Sequence, residues 1–319
     1  MRTFPFMCST LCLTALLAGQ ELRRGLVGAD AIVVGRQVGK QAHDDDVVLH
    51  RVQVLLDVRG ANGATAVTVL DWPNVSLHNR PTPRQSRLYC LQDASAVATR
   101  LGLPANGGPY FKMVGWAGSN PLVAGEPAQD PLVRLAQVLA ASEAGTAPST
   151  TAAALADMAL AADPELRREA TLFLSERTDL RATLGSVVWS RLVARAVGET
   201  EDIDYKIALA ELCAAQHLDG LLDDLAVSLG PVTDPRFAAC VGRIGRLLHG
   251  EQAAGTLLGR LRTTGQAQDR KMLLLAIGAT RTDSALESLL QMDRNDDAVR
   301  AALLEHGSRR AKEAIADRR

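Results

Sequence analysis

"RKMLLLAIGATRTDSALESLLQ", Arg270 to Gln291, places apolar residues three and four apart and so reads as amphipathic helix, a turn, and a second amphipathic helix. The same pattern stands earlier in "YKIALAELCAAQHLDGLLDDLA" from Tyr205. Aligned, Ile207, Leu209, Leu212, Leu221 and Leu225 fall opposite Met272, Leu274, Ile277, Leu286 and Leu290. Between them "RFAACVGRIGRLLHGEQAAGTLLGRL" repeats the theme, with Phe237, Val241 and Ile244 on its first helix and Leu257, Leu258 and Leu261 on its second. Counted from Tyr205, Phe237 and Arg270, the copies are 32 and 33 residues apart. A fixed period of this length predicts an α-solenoid, in which each helix pair needs its neighbours to cover its apolar face.

Working outward, "DPELRREATLFLSERTDLRATLGSVVWSRLV" reads as an earlier pair and "DDAVRAALLEHGSRRAKEAIADR" as a shorter, more polar final one. Asp163-Pro164 and Asp234-Pro235 mark helix starts, because Asp caps free amides and Pro suits the first turn. Asp130-Pro131 opens another amphipathic helix, which packs either on the preceding unit or on the solenoid. "EAGTAPST" after it reads as a linker.

The first half follows a different grammar. "AIVVGRQVGK" is rich in β-branched residues, and "VVLHRVQVLLDVRG" alternates Val48, Val52, Val54, Leu56 and Val58 on one face. "RGANGAT" is a turn in which Gly60 and Gly63 supply positive φ. "AVTVLDW", "SRLYCLQD" and "YFKMVGWAG" are further strands, with "AVATRLG" as a short helix. Five strands, the second of them long, with one helix suit a small closed barrel better than an open sandwich.

The residues before the strands, "MRTFPFMCSTLCLTALLAGQ" (Met1 to Gln20), combine Arg2, an apolar run from Phe4 to Leu17, and small residues near a cut. The run is shorter than the roughly 20 residues a bilayer crossing needs, so it reads as a removable export signal. The expected location is therefore exported: periplasmic, cell-surface or extracellular, without stable membrane insertion. Export leaves Cys90, Cys213 and Cys240, too few for a disulfide framework, with a Cys213–Cys240 pair left open by spacing alone. A net charge of −1 argues against general attraction to nucleic acid.

The expected organisation is a signal peptide over 1–20, an OB-like barrel over 21–125, a connecting helix and linker over 126–151, and helical repeats over 152–319. "GADAIVVGRQVG", "VVLHRVQVLLDVRG", "AVTVL" and "SRLYCLQ" resemble the barrel of exported bacterial proteins similar to the netrin-like and tissue-inhibitor module, across residues 26 to 118. The cysteine that such inhibitors place at the mature N-terminus is missing, so metalloprotease inhibition is not implied. The second half is similar to the short HEAT-like repeats of bacteria. It lacks the patterns of tetratricopeptide and ankyrin repeats.

Chemistry-bearing motifs are weak. "HDDDVVLH" (His43, Asp44, Asp45, Asp46, His50) has no metal-ligand spacing and reads as a solvated loop. "TEDID" (Thr200 to Asp204) lacks the central Gly of a calcium loop and reads as an inter-repeat turn. His217, His249 and His306 read as turn or surface residues of successive repeats. Neither a nucleophile elbow, a zinc-protease helix nor a phosphate loop occurs. The expectation is a non-enzymatic protein without catalytic, cofactor or metal residues.

Recognition is expected in "DWPNVSLHNRPTPRQSR", a loop too long for a simple hairpin connection. Trp72, His78, Arg80, Arg84 and Arg87 gather there, with no acidic residue from Trp72 through Gln92, while Pro73, Pro81 and Pro83 restrict the chain. The function this suggests is an exported interaction or scaffold protein whose partner is another protein with an acidic surface. Alternatives are an inhibitor or regulator of an exported hydrolase acting through barrel loops, and a divergent enzyme accessory subunit.

Overall fold

The computed structural model describes residues 22–43, 46–73, 81, 83–114, 120–198, 202–230 and 234–316. The chain forms two compact units, one up to Ala154 and one from Leu155. The signal segment, Met1 to Gln20, lies outside the described residues.

In the first unit a helix over residues 22–28 (α1) leads into β1 (Ala31–Ala42), β2 (Val48–Arg59), β3 (Ala66–Asp71), β4 (Ser86–Asp93) and β5 (Tyr110–Met113). They close into an OB-like barrel in the order β1-β2-β3-β5-β4. All neighbours run antiparallel except β3 and β5, which pair in parallel. The short helix between β4 and β5, α2 (Ser95–Arg100), lies on the stretch expected to be helical.

Closing so few strands requires strong bending. The register of β1 against β2 shifts at Ile32/Val33, Val34/Gly35 and Gln37/Gly39, which supplies it through bulges. At Gly35 the strands approach so closely that an added Cβ would lie 2.5 Å from Val52 Cγ1 and 2.9 Å from the Gln53 carbonyl. The barrel interior is filled by Ala31, Val33, Val52, Val67, Val69, Tyr89, Leu91 and Phe111. Val54 packs against this cluster, whereas Leu56 and Val58 are only half-buried, because the bulges interrupt the expected alternation. In the turn after β2, Gly60 and Gly63 take positive φ, and the Asp57 carboxylate accepts the amides of Ala61 and Gly63.

The helix whose placement sequence left open, α3 (Pro131–Glu143), packs on β2. Asp130 caps it through the Leu132 and Val133 amides, and Glu143 at its far end forms an ion pair with Arg59. The linker after it is shorter than expected. α4 (Pro148–Ala159) begins at Pro148, where proline starts a helix without losing a needed donor.

The second unit stacks helices that follow one another in pairs along the chain: α5 (Pro164–Glu176) and α7 (Ser186–Val197), α8 (Ile203–Ala214) and α9 (Leu221–Val227), α10 (Pro235–His249) and α11 (Ala253–Thr263), α12 (Ala267–Thr280) and α13 (Asp283–Leu290), and α14 (Asp297–His306) and α15 (Arg309–Ala316); the last four pairs pack directly, whereas α7 packs on α8 and α9. One short helix, α6 (Thr178–Arg181), joins the members of the first pair. Contacts run α5-α8-α10-α12-α14 in one layer and α7-α9-α11-α13-α15 in the other. First helices starting at 203, 235 and 267 advance by 32 residues each time.

The repeated apolar faces point inward. Leu209, Leu212, Leu221, Leu225, Met272, Leu274, Ile277 and Leu286 are buried, as are Phe237, Val241, Ile244 and Leu257. Each such side chain contributes about 1.5–3 kcal/mol of transfer free energy. Ile207, Leu258, Leu261 and Leu290 are half-buried instead, at the margins of the face. Successive first-layer helices come close at glycine. A Cβ on Gly242 would lie 2.1 Å from the Ala276 carbonyl, and one on Gly278 equally close to that of Ala302.

Asp163, Asp202, Asp234 and Asp296 cap α5, α8, α10 and α14 through their side chains. Two of these caps also join neighbouring repeats: Arg167 of α5 reaches Asp202 at 3.0 Å, and Arg270 of α12 reaches Asp296 at 2.6 Å. The acidic turn around Thr200 thus contributes a cap and an ion pair through Asp202, while Thr200 and Glu201 lie outside the described residues. Cys90, Cys213 and Cys240 are buried free thiols, which settles the open Cys213–Cys240 question. Burial pushes the thiol pKa of each up to about 12.

Candidate partner-binding surface

The expected recognition loop divides among different environments. Trp72, just after β3, is half-buried and packs with Leu49, Val97, Leu101 and Leu103 on the cluster of Leu70, Ala94, Ala98 and Tyr110. It is therefore a partial core residue rather than an exposed anchor. His78 and Arg80 lie outside the described residues. Arg84 is exposed, and its φ of 64° puts a side-chain-bearing residue in the left-handed region. Arg87 belongs to β4, opposite Gly35. Its Nη1 donates to the Asn120 carbonyl at 2.8 Å and its Nη2 to Gln85 Oε1 at 3.1 Å, so much of its hydrogen-bonding capacity goes into local structure.

Two arginines not singled out from sequence join Arg84. Arg36 on β1 lies opposite Ser86 of β4 and Gln53 of β2, and its Nη2 donates to Ser86 Oγ at 3.2 Å. Arg51 on β2 is opposite Gly39 and Thr68. Arg51 and Gln53 share a face, which makes Arg36 and Arg51 diagonal neighbours, about 7–8 Å apart in regular sheet geometry. Between them Val38 occupies the register shift and is 55% exposed. Pro83 bridges to Gln37, which brings the segment carrying Arg84 alongside β1.

Among the described residues no carboxylate lies within ion-pair distance of Arg36, Arg51, Arg84 or Arg87. The signal for Arg36 and Arg51 was present in sequence: between Ala31 and Arg59 the strands themselves carry arginine, lysine and glutamine but no acid before Asp57. Finding it required the pairing of β1 with β2, which composition does not supply.

The histidines are dispersed. His43 Nε2 lies 3.0 Å from the Leu101 carbonyl, and Asp44 and Asp45 beside it are outside the described residues. His50 is not part of a solvated loop. It is buried in β2, with Nε2 3.3 Å from the buried Asp71 carboxylate. His217 and His249 are exposed, but His306 is buried against expectation, its Nε2 3.2 Å from the Thr282 carbonyl and its Nδ1 3.0 Å from Ser308 Oγ. It ties the end of α14 to the turn before α13. Among the described residues no cluster of three His, Cys, Asp or Glu side chains is placed to hold a metal ion, and no helix is long and apolar enough to cross a membrane.

Comparison of the chain with family models, curated proteins and solved structures gives no significant match. The functional reading rests on the geometry alone.

Proposed function

We propose that this chain is an exported, non-enzymatic docking protein whose barrel resembles the netrin-like module and whose helix pairs are of the HEAT-like type. The barrel presents its basic face to an acidic protein partner, and the helical stack offers a second, extended surface. One observation carries this reading: Arg36, Arg51 and Arg84 lie on segments that adjoin the exposed Val38, and none of them has a carboxylate partner among the described residues. Arginine forks favour carboxylate acceptors, and an apolar centre with a charged rim is the usual anatomy of a protein interface. Screening limits the reach of these charges to about 8 Å at physiological salt, so local charge matters more than the near-neutral total.

The test replaces Arg36, Arg51 and Arg84 together by Gln in the full chain and follows one acidic partner identified by cross-linking in the native host. The expected result is roughly tenfold weaker capture, with the difference from the parent growing at low salt. Equal capture by both proteins removes the basic face from the reading. N-terminal sequencing of the protein from fractionated cells tests export, and an intact Met1 in the cytosol defeats that part.

A further inference from the structure

The helical stack carries its own docking device at the end formed by α14 and α15. Three first-layer helices share one pattern: a cap residue, an arginine four positions on, and a third residue four beyond that. In α5 these are Asp163, Arg167 and Thr171; for α12, Gln266, Arg270 and Leu274; for α14, Asp296, Arg300 and Leu304. A spacing of four keeps the arginine and the third residue on one helix face. In the two earlier helices the arginine bonds the cap aspartate of the next first-layer helix, Arg167 to Asp202 and Arg270 to Asp296. That next helix packs on each of these two, and the third residue is fully buried in both, Thr171 and Leu274 being 0% exposed.

At α14 the same face is uncovered. Leu304 is 62% exposed, and among the described residues Arg300 reaches no carboxylate but the solvent-exposed Asp297, at 3.8 Å. A cleft of about 390 Å³ opens here, floored by Leu303, Leu304 and Ile315 and rimmed by Arg294, Arg300 and Lys312. None of its described lining residues is acidic. Terminal repeats of such stacks ordinarily turn a polar face to water, and Leu304 interrupts the charged surface that Arg300 and Lys312 otherwise present here.

We infer that this cleft receives an amphipathic helix of a partner protein, docked as the next first-layer helix, with an aspartate or glutamate at its N-terminus on Arg300 and an apolar side chain on Leu304. The chain itself supplies the template, because that is how α8 covers α5 and α14 covers α12. The three cations select an acidic helix over a basic or neutral one. This inference uses none of the barrel's arginines.

The experiment places a photo-cross-linking benzoylphenylalanine at Leu304 of the full chain in its native host, with the same group at the 74% exposed Val187 as control. The expected product is an adduct at Leu304 and not at Val187, which peptide mapping assigns to a helical segment of another protein with a carboxylate at its start. Arg300→Glu in the same protein should lower its yield at least tenfold, while Arg36, Arg51 and Arg84 replaced by Gln should not. Continued burial of Cys213 and Cys240 in the Arg300→Glu variant certifies that the stack is folded. An adduct to a second copy of this chain, one insensitive to Arg300→Glu, or none at all overturns the inference.

Discussion

The barrel and the helical stack treat arginine in opposite ways. In the stack Arg191 reaches Asp157, Arg167 reaches Asp202, Arg236 reaches Asp204, Arg270 reaches Asp296 and Arg310 reaches Glu287, each linking different helices at 2.6–3.1 Å. On the barrel Arg59 pairs with Glu143 of α3, but Arg36 and Arg87 bond neutral oxygens, and Arg51 and Arg84 have no carboxylate partner among the described residues. A repeat protein meets only its neighbours, so register between pairs must be written into each junction, and ion pairs specify it even where each contributes little. A closed barrel has its register fixed by hydrogen-bond ladders and packing. Its surface charge is then free for recognition.

Separate stability of the two regions follows, and its sharpest test is Leu274→Asp. This side chain is fully buried in the face that α12 turns to its neighbours, and an unpaired charge there costs several kcal/mol, on the order of half or more of a small domain's stability. The three buried cysteines provide the readout, because thiols held near pKa 12 inside a core resist alkylation until the surrounding structure opens. Mass spectrometry after a thiol pulse should find Cys213 and Cys240 labelled in the variant and Cys90 protected as in the parent. Labelling of all three at once would mean that the units unfold together.

Gly278→Val probes the same junction through shape rather than charge. The added Cβ would meet the Ala302 carbonyl, a backbone atom that moves only if α14 moves. Overpacking of this kind costs about 1–3 kcal/mol. A melting temperature within error of the parent's would contradict the close approach of α12 and α14.

How much of this was legible beforehand differs between the regions for the same physical reason. Helix pairs announce themselves through local periodicity, so Leu209 and Leu274 could be paired across 65 positions from apolar spacing alone, and Asp163 and Asp234 are caps recognisable from the proline that follows each. Barrel strands were also legible, with Ser86–Asp93 matching the expected segment from end to end. The proposed binding face was not, because Arg36 and Arg51 become neighbours only through the β1–β2 register, and three bulge-type shifts set that register. Arg87 looked like a loop cation because sequence cannot show that Asn120 returns to accept its proton. His50 misled in the same way, its partner Asp71 lying a strand away.

Arg270→Ala tests whether the stack's ion pairs contribute to stability at all. Both side chains are partly exposed, so solvent screening holds the expected loss to about 0.5–1 kcal/mol at neutral pH. The loss should depend on acid. Hydrogen bonding from the Ala298 amide, opposed by some burial and aided by Arg270, holds the Asp296 carboxyl below the usual carboxylate range. A carboxyl lowered on folding stabilises the folded state above its unfolded pKa of about 3.9, and that contribution disappears as pH falls through the lowered folded value. The difference between parent and Arg270→Ala should therefore be constant from about pH 7 to 5 and shrink below about pH 4. A difference that grows in acid would show that Arg270 acts through something other than Asp296.

The smallest expected effect is the one that bears most on function. If the barrel's arginines serve recognition, replacing Arg36, Arg51 and Arg84 together by Gln should leave stability within about 0.5 kcal/mol of the parent, because the Arg36–Ser86 hydrogen bond is exposed and none of the three has a carboxylate partner among the described residues. Three like charges on neighbouring strands also repel, so a slight gain in stability at low salt is the expected direction. Arg84 sharpens the point, since its φ of 64° stores backbone strain that Gly tolerates better. Arg84→Gly should therefore stabilise the barrel or leave it unchanged, read as melting temperature with Cys90 protection as the local probe. A residue kept against local preference at no benefit to folding is most simply explained by contact with a partner. If Arg84→Gly instead lowers the melting temperature by several degrees, Arg84 is part of the barrel's framework, and the search for the binding residues moves to Arg36, Arg51 and Val38.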